Sequence, residues 1–244
     1  MHEDFPGRRG MTDCLTSILR GRDVDATRNA AASTRRRCMG CASGDTIRRH
    51  RTGETDMSNV FGGVVQQGYV VPDIDAAMKH WIARGVGPFY MEHLKDYPGE
   101  VDGKPVKLEL KAAFAYSGDQ QIEVIEPIGA TPSIYGEYLK EHPQGGLQHL
   151  AVWCDGTIAE KLDDLKRRGM DYKVRQTYGG EHAYIDSVDQ PGVMIQLMKR
   201  GDLIEKMFAI IKEGADTWDG ETDPVRRIDW SSGTPVVKPI GQAA

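Results

Sequence analysis

No apolar run in this chain approaches the ~20 residues that a helix needs to cross a bilayer. Strong charge of either sign is also missing: the 244 residues carry a net charge of −5. That mild acidity argues weakly against nucleic acid as a partner. Cysteine is scarce, four in all, and three of them (Cys14, Cys38, Cys41) lie in the first part of the chain. The remainder therefore has no disulfide framework, which fits a cytoplasmic protein. Cys38-Met39-Gly40-Cys41 has the spacing of half a zinc site or a redox pair. No second pair accompanies it, and incidental thiols are the plainer reading.

The charge is unevenly placed. Residues 1–56 hold eleven arginines, no lysine and eight acids, a balance of +3, so the rest of the chain stands at −8. No apolar period runs through this first part, which reads as a disordered or mis-assigned N-terminal extension over 1–58. It has neither the long apolar core of a secretory signal nor the acid-poor composition of a transit peptide. Met57-Ser58-Asn59 is the expected start of the folded part.

What the chain does have is a repeat. Val64 to Met78 and Gly146 to Arg168 each read as an apolar strand, an acidic turn and a helix closing on Arg-Gly (Arg84-Gly85, Arg168-Gly169). Each is followed by further strand-like segments and a matching last strand, Gln121–Ile125 and Met194–Met198. Two copies of one supersecondary unit are expected. At equivalent places the strands carry Gln66, Glu123, His149 and Gln196. An unpaired polar group inside an apolar strand is costly, so these four are expected to face one another in a site.

The finer reading of the first unit, about 62–127, is a strand over 63–71, a helix over 74–83 capped by Asp73, a short strand near 89–93 and a loop over 96–104. Two strands follow, 106–115 and 121–125. A helix over 133–141 links to the second unit, about 145–200, with strands at 147–154, 171–177, 182–187 and 193–198, a helix at 158–168 and a turn at 189–192. After Gly201, Ile204, Met207, Phe208 and Ile211 form one helical stripe over 203–213. The tail over 214–244 shows no period. The domain division is thus 1–58, 59–200 and 201–244.

At Gly68-Tyr69-Val70-Val71-Pro72-Asp73-Ile74, Ile122-Glu123-Val124-Ile125-Glu126-Pro127, Gly145-Gly146-Leu147-Gln148-His149-Leu150-Ala151 and Gly192-Val193-Met194-Ile195-Gln196-Leu197, the sequence resembles the vicinal oxygen chelate (glyoxalase/bleomycin-resistance) superfamily. Its methylmalonyl-CoA epimerase-like branch is the most similar. The resemblance covers about residues 62–200. It implies an α+β fold in which two βαβββ modules form a cupped mixed sheet around a divalent metal, commonly in a homodimer. The metal positions it implies are Gln66, Glu123, His149 and Gln196. The family usually has His at the first and Glu at the last.

One imidazole, one carboxylate and two amides suit Mg, Mn, Co or a similar ion better than zinc. They lack the two-His-one-carboxylate set of iron oxygenases, which weighs against a dioxygenase. The same four residues could equally form a metal-free polar network, because amides both donate and accept. The resemblance also implies a base on a Val-Glu-Ile type strand, matched here by Leu108-Glu109-Leu110; alternation with Lys107 and Lys111 equally allows Glu109 a solvent-facing role. Gln196 cannot take a proton, so a two-base epimerase is impaired. His182 and Tyr184, on one face of their strand, are the remaining acid–base candidates, and His142 a weaker one. The expected function is a metal-dependent isomerase, epimerase or lyase working by proton transfer next to a carbonyl of a small acid or acyl-CoA. The alternatives are a metal-free protein that binds or sequesters small molecules and a glyoxalase- or dioxygenase-like enzyme.

Overall fold

The structure is a computed structural model that describes residues 60–186, 192–230 and 232–239. The readings for 1–58, including the Cys38/Cys41 pair, and most of the 189–192 turn lie outside these residues.

The first module runs β1 (Val64–Val70), α1 (Ile74–Ile82), β2 (Phe89–Val101), β3 (Lys104–Ser117) and β4 (Gln120–Pro127). After α2 (Ile134–Glu141) the second module repeats it as β5 (Gly146–Cys154), α3 (Ile158–Arg167), β6 (Lys173–Tyr178), β7 (His182–Asp186) and β8 (Met194–Lys199). Then come α4 (Asp202–Thr217), β9 (Val225–Asp229) and β10 (Val236–Pro239). The helix starts follow from local chemistry. Asp73 and Ser133 accept the backbone N–H three residues on, and Thr157 with Glu160 forms a reciprocal capping box, each satisfying N–H groups that a helix end leaves bare.

The ten strands make one mixed sheet in the order β10-β9-β2-β3-β4-β1-β5-β8-β7-β6. The two modules meet where β1 and β5 pair antiparallel, Gly68 opposite His149. A further pairing, Glu100 with Thr177 and Val101 with Gln176, joins β2 to β6 and closes the sheet into a curved barrel. No helix among the described residues is long and apolar enough to cross a membrane.

Alternation sorts the side chains into two faces. On β3, Ala113 and Ala115 pack outward with Ile74 and Met78 of α1, and α3 covers the second module in the same way through Ile158 and Leu165. The inward residues Leu108, Leu110, Ala112 and Phe114 belong to a different core, shared with Met207, Phe208 and Ile211 of α4. Each such side chain contributes about 1.5–3 kcal/mol on full burial, which seats α4 across the open side of the cup.

Two expectations change. The segment 96–104 is not a loop: β2 and β3 form a long hairpin paired from Tyr90↔Phe114 to Val101↔Lys104. Its turn is Asp102-Gly103, both at positive φ (47° and 74°), the backbone that a tight hairpin with the right twist requires. Pro98 is tolerated because, among the described residues, no strand pairs with that stretch of β2 on its other side. Two parts of the tail, too, are strands, β9 and β10. β9 adds parallel to the start of β2 through Phe89↔Val225, Tyr90↔Arg226 and Met91↔Arg227. Charged residues in Val225–Asp229 hide this strand from periodicity.

Gly214 shows how tightly α4 sits. A Cβ there would lie 1.8 Å from the Tyr90 hydroxyl, which is buried and accepts a hydrogen bond from Arg226 at 2.8 Å. Gly214→Ala is expected to cost about 1–3 kcal/mol as an overpacking change, read as a drop of several degrees in thermal unfolding. An unchanged melting temperature would mean that α4 is not held against β2.

Candidate functional site

The cup encloses a cavity of about 770 Å³. Gln66 (β1), Glu123 (β4), His182 and Tyr184 (β7) and Gln196 (β8) all line it. The long alternation of β1 and β4 brings Gln66 and Glu123 inward, and their counterparts on β5 and β8 are His149 and Gln196.

His149 is fully buried, behind Glu123, and does not itself line the cavity. Its ring lies on Gly68: a Cβ at that glycine would stand 1.8 Å from Cε1 and 2.1 Å from Nε2. Gln148 donates its Nε2–H to Met194 Sδ at 3.4 Å and turns Oε1 to His149 Nδ1 at 2.7 Å. This assignment puts the ring proton on Nδ1 and leaves Nε2, 3.1 Å from Glu123 Oε2, as a lone pair facing a carboxylate. Such a contact has room for a proton or a cation, not for two bare lone pairs. Gln66 donates to Gln121 Oε1 at 2.7 Å, and Gln196 meets His182 Nδ1 at 3.3 Å. The amide oxygens of both, Gln66 Oε1 and Gln196 Oε1, are buried without a hydrogen-bond partner. Orphaned buried acceptors are expensive. Two amide oxygens, one carboxylate and one imidazole nitrogen whose tautomer is set by a carbonyl behind it fit a divalent cation of the oxygen-preferring kind.

Glu109 is not brought to this site. Leu108 and Leu110 face inward, so Glu109 faces out, with 42% of its side chain exposed and a 2.9 Å contact to His93. Strand alternation overrides the positional match with the family's base. His142 is exposed and stacks at the surface on Tyr138.

The inward carboxylate that sequence reasoning missed is Glu92. It lies on β2, lines the cavity and accepts a hydrogen bond from Trp230 Nε1 at 2.9 Å. Burial, with the Glu123 charge as a further cause, raises its pKa to about 7 against the lowering effect of Trp230. In sequence Glu92 sits between Met91 and His93 with nothing to mark it; its partner is 138 residues away. Burial lowers the pKa of His182, favouring the neutral ring. It also holds the phenols of Tyr135, Tyr178 and Tyr184 well above 10, so all three keep their protons.

Residues 65–185 match the family model described as Glyoxalase/Bleomycin resistance protein/Dioxygenase superfamily. No curated protein matches the chain. Among solved structures, methylmalonyl-CoA epimerase from Mycobacterium tuberculosis is 17% identical at a TM-score of 0.42, covering 61% of this chain and 95% of its own. A Streptomyces coelicolor methylmalonyl-CoA epimerase in complex with 2-nitronate-propionyl-CoA is 16% identical at 0.41, covering 57% and 95%. A 4-hydroxymandelate synthase variant from Streptomyces coelicolor is 15% identical at 0.42, covering 62% and 55%. With its paired modules and inward-facing polar strands, the chain belongs to the glyoxalase/bleomycin resistance protein/dioxygenase superfamily.

Proposed function

We propose that this protein is an isomerase, epimerase or lyase that moves a proton at a carbon next to a carbonyl. The observation that carries the reading is Glu92: a half-buried carboxylate, hydrogen-bonded to Trp230 and with a pKa raised to about 7, in the same cavity as Glu123, Gln66 and Gln196. A base works best when its pKa lies near the working pH. Gln66, Glu123, His149 and Gln196 would hold a divalent cation, which when bound supplies Lewis-acid polarisation of a carbonyl oxygen. Glu92 takes the proton from the carbon, and Trp230 keeps the carboxylate in place. Gln196 stands where a second carboxylate would be needed for two-base epimerisation and has no proton to exchange. The proton therefore returns from Glu92 itself, at the same carbon or a conjugated one, unless a β leaving group departs first.

The test is solvent deuterium uptake at the α-carbon of a panel of ketones and thioesters, followed by NMR, alongside metal content by mass spectrometry. His149→Ala is expected to lose about one equivalent of metal and at least a hundredfold in exchange rate. Wild-type exchange in that variant would sink the reading. A second reading, a metal-free small-molecule binding protein, is favoured by one observation: Gln66 and Gln196 are already hydrogen-bonded to Gln121 and His182, as members of a polar network would be. It predicts ligand binding with no deuterium uptake and no metal.

A further inference from the structure

Beside the polar centre runs a chain of hydrogen bonds with one direction. The backbone N–H of Ile134, at the start of α2, donates to Gln176 Oε1 at 3.2 Å. That contact fixes which end of the amide is oxygen. Gln176 Nε2 must then donate, and it does, to the Tyr178 hydroxyl at 2.6 Å. Tyr178 in turn donates to Tyr135 at 2.9 Å, and Tyr135 to Tyr184 at 2.8 Å. Each phenol has a single proton to give. Every proton but the last is spent inside the chain, and among the described residues no acceptor is bonded to the Tyr184 O–H. Tyr184 lines the cavity, and its ring meets that of His149 edge-on, with centroids 5.1 Å apart. Donors in such a series polarise one another, which strengthens the last.

The rest of the lining says what kind of acceptor suits this donor. The walls are apolar, with Leu94, Leu110, Phe114, Met198, Met207 and Phe208 prominent. The acids are Glu92, Glu123, Glu181 and Asp202, and among the described residues no arginine lines the cavity. The one lysine, Lys199, is already paired with Glu181 at 3.0 Å. Apart from the cation of the proposed site, whose charge Glu123 already offsets in part, a phosphate or carboxylate would meet no free basic side chain among these four carboxylates, and an unpaired charge is costly to desolvate. The volume lies within the range of ordinary small-molecule sites and is generous for fused rings.

We propose that the ligand of this cavity is an uncharged, apolar, fused-ring ketone or enone, rather than an acyl-CoA or a carboxylic acid, and that its carbonyl oxygen accepts the Tyr184 O–H. This rests on the carbonyl reading above but adds the substrate class and the receiving residue. Tyr135, Tyr178 and Gln176 are positioning residues that act through Tyr184.

The experiment uses the full chain as purified, with 1-tetralone, labelled with ¹³C at the carbonyl, as the probe and 2-naphthoate and propionyl-CoA as comparisons. Titration calorimetry gives affinity, and isotope-edited infrared spectra give the carbonyl stretch. The ketone is expected to bind at least tenfold more tightly than either anion, with its stretch below the value in hydrocarbon solvent. Tyr184→Phe should move the stretch back toward that value, and Tyr135→Phe should do so in part. An anion that binds as well as the ketone overturns the proposal, as does a ketone that fails to bind or a stretch that neither variant moves. Should Tyr184→Phe not fold, Tyr135→Phe alone decides in the same way. Deuterium uptake is scored separately: a shifted stretch without exchange leaves this inference standing and removes the isomerase reading, whereas exchange with an unmoved stretch does the opposite.

Discussion

Replacing Gly68 by alanine is expected to cost the domain about 3 kcal/mol or more, at or beyond the upper end of ordinary overpacking, and, on the proposed metal-dependent reading, to abolish metal retention. The new methyl group would lie 1.8 to 2.4 Å from three atoms of the His149 ring. The ring cannot retreat. It is fully buried, held by Gln148 at Nδ1 and Glu123 at Nε2, and closed in by the edge of Tyr184. Either β1 and β5 part or the ring swings out of line with Glu123. The first shows in urea unfolding and the second in elemental analysis. A variant with wild-type stability and metal content would show that His149 does not rest on this strand. Gly68 thus acts as the floor of the site; its backbone is ordinary extended strand, and only the missing side chain matters.

Glu92→Gln is expected to lower the rate of α-proton exchange by roughly 10²–10⁴, the usual worth of a positioned general base, while making the protein more stable in weak alkali. The sign follows from the raised pKa. The unfolded chain releases this proton near 4.5, whereas the folded protein keeps it to about 7. Between those values the native state binds more protons, so stability falls as pH rises through the window. Above about 7 both states are ionised and the full cost of the buried charge remains, at most about 3 kcal/mol for a shift of this size. Glutamine keeps an acceptor for Trp230 and removes the charge. Denaturant curves for the two proteins should therefore converge near pH 4.5 and separate by pH 8, with the variant the more stable. The wild-type rate profile should rise with an inflection near pH 7 that the variant lacks. Curves that coincide at both pH values would rule out a raised pKa at Glu92.

These two residues mark the limits of what the sequence discloses. The repeat, the modules and the inward set of Gln66, Glu123, His149 and Gln196 were legible because strand period and internal symmetry are local properties. The partners that orient the set were not. Gln121 and Gln148 each stand next to or near a candidate and look like ordinary strand amides. Glu109 stood open between a base and a solvent-facing residue, and the alternation decides for the second: Leu108 and Leu110 claim the core, and a strand cannot present neighbours to the same face. Glu92 depends on the pairing of β9 with β2, a contact across more than 130 residues of sequence. The tyrosine chain likewise joins α2, β6 and β7, and only its last member stood out, through its place on the strand of His182.

The order of the strands has a bearing on how the protein is born. The ribosome makes both modules first, and the barrel strands can pair once β8 has emerged. Trp230, the partner of Glu92, and α4, the cover of the cup, come afterwards. A chain ending near residue 200 would hold Gln66, Glu123, His149, Gln196 and the tyrosine chain, but neither α4 nor the Trp230 that anchors Glu92. On the proposed reading the site is therefore completed late in synthesis, and a laboratory fragment trimmed to the repeated modules alone would leave Glu92 without its Trp230 partner and the cavity without α4.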